Sequence, residues 1–382
     1  MQEDIWLQEG FRKPEPAKID PYYYVCGGQY SYDEIEAMSW DEFALRRHGC
    51  MPSKLYKYFP NTIYKGKNRS IQALENNTVY LEEVKKFDDN YDCTLSINEE
   101  EFARIRIAYY AELCGMKVAA EWNYEKCAEE FAYFLYQEIN KGHGLEHIFG
   151  IDSLTQSGIN SSMKKDLTKE IFCLKLKLTL TQNDQSDIWP RAFYEAIHNE
   201  YLDMVKVMDR FRIACFTTSP YMINMWSNHY ADNNKGFCIE YQMPDLNHRT
   251  DDLCSNLFPI IYSDARTDVL NKCMVSLDDD MNKDCLAAIY KYGVLAKSKS
   301  IWGQQDEWRL VSCDNLLADD YNCKFYPITK VYLGERMEQN ERKMIIEICE
   351  RKGIPYVGVI RDKERYQMIE CPRSCKKCVS NA

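Results

Sequence analysis

Strand-like runs on both sides of a long helical block most limit what this chain can fold into. From Ser96 the sequence turns helical through "EEFARIRIAYYAELCGMKVAAEWNYEKCAEEFAYFLYQEINKG", and "PRAFYEAIHNEYLDMVKVMDRF" adds to the block with Pro190 at a first-turn position. Ser96, three residues before Glu99, predicts a capping box at its start. Ahead of the block, "SKLYKYF" and "NTVYLEEV" read as strands. Behind it come "FRIACFTT", "KGFCIEYQ", "LFPIIYS", "EWRLVSC", "FYPITKVYLG" and "IPYVGVI", broken by helices around "DVLNKCMVSLDDDMNKDCLAAIYKYG" and "MEQNERKMIIEICERKG". Helices of unequal length without steady strand–helix alternation predict α+β rather than a doubly wound sheet. The expected organisation is an N-terminal extension (1–50) with one helix over "SYDEIEAMSWDEFALRRHG", a first part of an α+β core (51–95), a mainly helical insertion (96–209), a second part of the core (210–365) and a Cys-rich basic tail (366–382).

At 382 residues, with 45% hydrophobic and 28% charged residues, the chain can bury a sizeable core. A net charge of −11 disfavours a passive coating of nucleic acid. The start "MQEDIWLQEG" has acids where a signal peptide needs bases, and no apolar run approaches ~18 residues, so the expectation is a cytoplasmic protein without a membrane partner. The 17 cysteines sit mostly in apolar contexts and read as small buried hydrophobes. The sequons at Asn68 and Asn76 are then chance matches.

Three separated stretches carry a resemblance. "LYKYF", "IACFTTSPYMINMWSNHYADNNKGFCIEY" and "KSIWGQQDEWRL" followed by "KVYLGERM" together resemble the prokaryotic family called domain of unknown function 2971, over about Leu55 to Tyr366. The middle stretch is the specific one, with Met225-Trp226, then His229-Tyr230-Ala231-Asp232, then Lys235-Gly236. Where that family has Phe-Asn-Asp-Pro, this chain reads "KFDDNYDC", and Gln305 stands where the family has the first of two Glu residues.

The order of motifs is also similar to that of ADP-ribosyltransferases: Tyr56-Lys57-Tyr58 on a first core strand, Phe216-Thr217-Thr218-Ser219 at a strand edge, and a late Gln305-x-Glu307. That resemblance implies a split, twisted, mixed or antiparallel sheet core with a large helical insertion. It implies NAD as the substrate, consumed by ADP-ribosyl transfer or hydrolysis, and a toxin-like effector in prokaryotic conflict or anti-phage defence. Breaking the nicotinamide–ribose bond develops an oxocarbenium-like ribose that a carboxylate can steady, the part assigned to Glu307. Gln305, two residues earlier on an extended strand, would share its face and orient the acceptor, a protein or a nucleic acid. Short hydroxyls at Thr217, Thr218 and Ser219 would shape the dinucleotide pocket with Tyr56, Lys57, Tyr58 and Phe216. Trp226 and Tyr230 would line it, and His229 would act as a base; spacings of one, three and four equally fit a short helix packing Trp226 and its neighbours into a core.

Other readings stay open. The chain could be a non-enzymatic ligand sensor or interaction module, with the helical insertion as a partner surface. Asp88, Asp89 and Asp92 could serve a metal-dependent nuclease, but no companion carboxylate–lysine pattern accompanies them. Cys371, Cys375 and Cys378 have iron–sulfur-like spacing but at the wrong end of the chain, a zinc site there would need a fourth ligand such as Cys323, and Gly142 and Gly144 speak against a helix that would pair His143 with His147. No metal is expected.

Overall fold

The alternation in "SKLYKYF" buries Leu55 and Phe59 on the sheet core, and the strand it forms is where two sheets meet. The computed structural model describes residues 22–61, 63–64, 67–149, 172, 176, 189–274, 283–314, 317 and 321–372, and the chain is α+β. Strands β1 (Tyr22–Val25), β2 (Gly28–Ser31), β3 (Lys54–Phe59), β4 (Ile63–Tyr64), β5 (Lys67–Asn68), β6 (Thr78–Tyr80) and β7 (Glu82–Glu83) precede the helical block. Behind it lie β8 (Phe211–Phe216), β9 (Phe237–Gln242), β10 (Leu257–Pro259), β11 (Ile261–Tyr262), β12 (Ala296–Lys297), β13 (Trp308–Cys313), β14 (Asn322–Lys324), β15 (Ile328–Leu333), β16 (Tyr356–Arg361) and β17 (Met368–Glu370).

A five-stranded sheet runs β17-β16-β15-β9-β3, antiparallel except for β15 beside β16. A four-stranded antiparallel sheet runs β10-β13-β8-β7, and its central ladder sets Trp308 opposite Phe216 and Arg309 opposite Cys215. The two sheets are stitched where the Tyr56 N–H donates to the Thr217 carbonyl at 2.9 Å and the Thr217 N–H returns to Tyr56 at 2.8 Å. A third sheet runs β12-β11-β1-β2, and the pairs β14-β6 and β4-β5 complete the strands. Strands from before the helical block therefore pair with strands from after it. No helix among the described residues is long and apolar enough to cross a membrane.

Within 96–209 the described elements are helical. Glu99–Leu113, Tyr124–Asn140 and Trp189–Val205 close on a separate apolar cluster around Phe102, Tyr110, Phe131 and Phe193. Across it Arg106 meets Glu200 at 2.8 Å. Asn98, not Ser96, caps the first helix, its side chain accepting the Glu101 N–H at 3.0 Å. The Ser96 carbonyl is instead committed to the Val269 N–H at 3.0 Å.

The N-terminal region differs from expectation in two places. The stretch read as one helix is two, Tyr32–Ala37 and Trp40–Cys50, with Met38 extended between them and Ser39 capping the second through the Glu42 N–H at 3.1 Å. The break lets buried Lys291 reach the backbone carbonyls of Ile35, at 3.0 Å, and of Met38; an ammonium out of water requires such acceptors. Ahead of them, "YYYVCGGQYS" is a hairpin, which the expected extension with one helix did not include, its two turn residues Cys26 (φ 49°) and Gly27 (φ 74°) both left-handed as a tight hairpin requires. At the other end the tail does not begin at 366: β17 pairs with β16, and the N–H of buried Cys371 donates to Gly358 at 2.7 Å. Cys375 and Cys378 lie outside the described residues.

Candidate functional site

At the head of β13 the chain buries four charged groups against one another. Arg309 is fully buried; its Nε donates to Glu307 Oε1 at 2.7 Å and one terminal nitrogen donates to Asp92 Oδ2 at 2.8 Å. Its other terminal nitrogen donates to the Val294 carbonyl at 2.6 Å and to Cys93 Sγ at 3.1 Å. That carbonyl closes the π-helical turn Ile289–Val294, a rare backbone form found often at functional sites. Lys297, on β12, donates to Glu307 Oε2 at 2.7 Å and to Gln305 Oε1 at 3.2 Å, and lies 3.5 Å from Asp92. Two acids thus face two bases out of water.

Burial pushes the Glu307 carboxyl up, but Arg309 and Lys297 outweigh it and hold the group well below the ordinary carboxylate range. Burial likewise works against the charge on Lys297, yet Glu307 and Asp92 raise it above a normal ammonium. Glu307, Lys297 and Arg309 stay charged at neutral pH. Such a cluster adds little net stability, because desolvation offsets the attraction, whereas losing one member leaves a buried charge unpaired.

Loops from three parts of the chain close around the cluster. From "KFDDNYDC", the Phe87 ring lies 5.5 Å from the Arg309 guanidinium, Asp88 pairs with His229 at 3.1 Å, and Asp89 accepts the Trp302 Nε1–H at 2.7 Å. From "MWSNHYADNNKG", Tyr230 hydrogen-bonds the Gln305 side chain. From "KSIWGQQDEWRL", Trp302 sets its ring 4.8 Å from the Lys297 ammonium. Beside Glu307 opens a cavity of about 350 Å³, walled by Tyr24 and Cys26 of the β1–β2 hairpin, Tyr262, Lys299, Asp306 and Glu307 among others.

Residues 225–310 match the family model described as Protein of unknown function (DUF2971). Over this stretch the chain is similar to DUF2971. No curated protein and no solved structure matches it. The DUF2971 stretch takes in "MWSNHYADNNKG" and "KSIWGQQDEWRL", while "LYKYF" and "KVYLGERM" fall outside. It supplies Lys297, Gln305, Glu307 and Arg309 to the cluster; Asp92 comes from outside it.

The fold distributes the expected site residues unevenly. Thr217 sits one step past the β8–β13 ladder, as Glu307 does on the other side, and donates its hydroxyl to the Ser219 carbonyl at 3.1 Å. Thr218 donates to Asp306 Oδ2 at 3.0 Å, and the Tyr58 hydroxyl donates to the Ser219 carbonyl at 2.9 Å. The threonine edge and the late Glu are therefore neighbours. Gln305 does converge with Glu307 on Lys297, but not by strand alternation: it lies in the 3₁₀ turn Gly303–Gln305, and Asp306 is left-handed (φ 47°).

On β3 the pleat divides the motif. Lys57 turns toward the cluster, donating to the Cys215 carbonyl at 3.1 Å, and burial pulls its ammonium down. Tyr56 and Tyr58 point the other way, into a core with Tyr332 and Trp226. Trp226 is fully buried there, its Nε1–H donating to the Pro220 carbonyl at 2.7 Å, and Phe216 stacks on Phe325 in the main core. His229 is at the surface with Asp88. Among the described residues no three His, Cys, Asp or Glu are placed to hold a metal ion; Asp88, Asp89 and Asp92 each face a different partner. The sequence reading missed Lys297, Arg309 and the ion-pairing role of Asp92. Arg309 carried a signal, an arginine inside an apolar strand, whereas nothing in "LAKSKS" sets Lys297 apart.

Proposed function

We propose that the protein cleaves the nicotinamide–ribose bond of NAD, with Glu307 as the carboxylate that steadies the oxocarbenium-like ribose. The observation that carries this reading is the placement of an ionised, buried Glu307 on the wall of a cavity and beside the Thr217–Ser219 edge. A carboxylate fixed in charge and position needs no reorganisation as positive charge develops. The cavity, at the small end of ligand pockets, takes the nicotinamide riboside end and leaves the adenylate outside. Lys297 covers one Glu307 oxygen and has a second acid, Asp92, 3.5 Å away, so it can yield that oxygen to a ribose hydroxyl without losing all carboxylate contact.

Nicotinamide release from NAD by the full-length protein tests the reading, and Glu307→Gln is expected to lower it by about 100-fold or more. Glu240→Gln is the control. Glu240 is another buried carboxylate, ion-paired to Lys54 at 2.6 Å on the Tyr332 side of the sheet, and its loss should spare turnover. No release by the wild-type protein overturns the proposal.

One observation favours a second reading. Both Glu307 oxygens are bonded within the protein, as in a purely structural joint, and the cavity would then serve a non-enzymatic ligand sensor. Such a sensor melts higher with NAD present, by about 2.7 kcal/mol at one hundred times the dissociation constant, yet releases no nicotinamide.

A further inference from the structure

Among the described residues, the exposed cysteines are Cys26 and Cys50, and they are neighbours. Cys26 is the first turn residue of the β1–β2 hairpin, and Cys50 is the last residue of the helix Trp40–Cys50. Their side chains are in hydrogen-bond contact and border one small recess with Tyr30, Phe43, Arg46 and Pro259. The remaining described cysteines of assigned burial are buried or half-buried. Two neighbouring thiols, remote in sequence and held by separate elements at the edge of one recess, can approach each other as a disulfide requires, unlike thiols fixed inside a core.

We propose that Cys26 and Cys50 form a site of reversible oxidation by a low-molecular-weight disulfide of the glutathione type, which closes a Cys26–Cys50 disulfide on the cavity wall. Cys50 gives its proton to solvent and its thiolate attacks one sulfur of the reagent, breaking that S–S bond and expelling one thiolate. Cys26 then loses its proton and attacks the Cys50 sulfur. The second reagent thiolate leaves as the Cys26–Cys50 bond forms. Two protein thiols are oxidised and one reagent disulfide is reduced to two thiols.

The order follows from position. Burial of its sulfur and the neighbouring Cys50 both push the Cys26 thiol up, so the first attack falls to Cys50. The part due to Cys50 vanishes once that sulfur is bonded. Val25, Cys26 and Pro259 border the recess and the large cavity alike, so the new bond pins the hairpin turn where it forms the cavity wall. This inference rests on the thiol pair and stands apart from the NAD reading.

Peptide mapping of the native full-length protein after exposure to oxidised glutathione tests it. The expected product is a linked Cys26–Cys50 peptide pair, reversed by dithiothreitol, with buried Cys93 and Cys238 unmodified. Cys26→Ser should stop at a glutathione adduct on Cys50, and Cys50→Ser should slow loss of the Cys26 thiol by roughly tenfold. The oxidised wild type, melted without reductant, should show a higher midpoint than the reduced protein. Two persistent thiols, a separate adduct on each cysteine, or pairing of either with another cysteine would overturn the proposal.

Discussion

Each oxygen of Glu307 answers to its own cation, and that one side chain explains much of the behaviour expected of the centre. Its folded carboxyl is held below the usual range by Arg309 and Lys297, while in the unfolded chain it titrates near pH 4.3. The stability it contributes is therefore fully present above the unfolded value and is lost as pH falls toward the folded one. Urea midpoints measured between about pH 6 and pH 3 should fall with acid, and Glu307→Gln should flatten that slope because its amide does not titrate. At pH 7 the same variant leaves Arg309 and Lys297 short of one negative charge, a loss of about 3–5 kcal/mol readable in the urea midpoint. Hydrophobic pattern could not reveal this partnership. Glu307 and Arg309 stand two apart in the sequence, but Asp92 and Lys297 reach them only through the fold.

The element that carries the specific motif is a turn pressed between strands. Asp232, Asn233 and Asn234 all take positive φ (45°, 52° and 67°), a conformation that Asp and Asn tolerate better than most side chains. They deliver Gly236 to the head of β9, where an added Cβ would lie 2.1 Å from the Phe59 carbonyl oxygen and 3.0 Å from the Ala231 backbone. A backbone atom cannot swing aside as a side chain can. Gly236→Ala should cost more than about 1–3 kcal/mol, seen as a lowered thermal midpoint. Gly49→Ala is its opposite: Gly49 lies in the helix Trp40–Cys50 with nothing within 4 Å of the added carbon, and the change should stabilise by about 0.5–1 kcal/mol. The sequence announces such a turn through its run of Asp, Asn and Gly. What it misstates is the neighbouring Gln305–Glu307 segment, where an apolar strand invited two more residues that belong to a 3₁₀ turn and a left-handed step.

Across the whole molecule, the DUF2971 stretch is not a folding unit. Its central strand β9 has both neighbours, β3 and β15, outside 225–310, and β13 loses β8 on one side. A fragment of residues 225–310 should show no cooperative thermal transition by circular dichroism, because a lone strand exposes its ladder to water without burying an apolar face. The full chain should melt cooperatively. Most strand and helix positions behind residue 50 were legible in the chain because side-chain alternation and helical periodicity are local, set by backbone geometry within a few residues. So was the α+β class. Strand pairing, the two-way division of Tyr56, Lys57 and Tyr58, the hairpin wall of the cavity and the pairing of Asp92 with Arg309 were not. Those depend on which distant segments meet, and burial energy rewards contact without recording in any one segment who the partner will be.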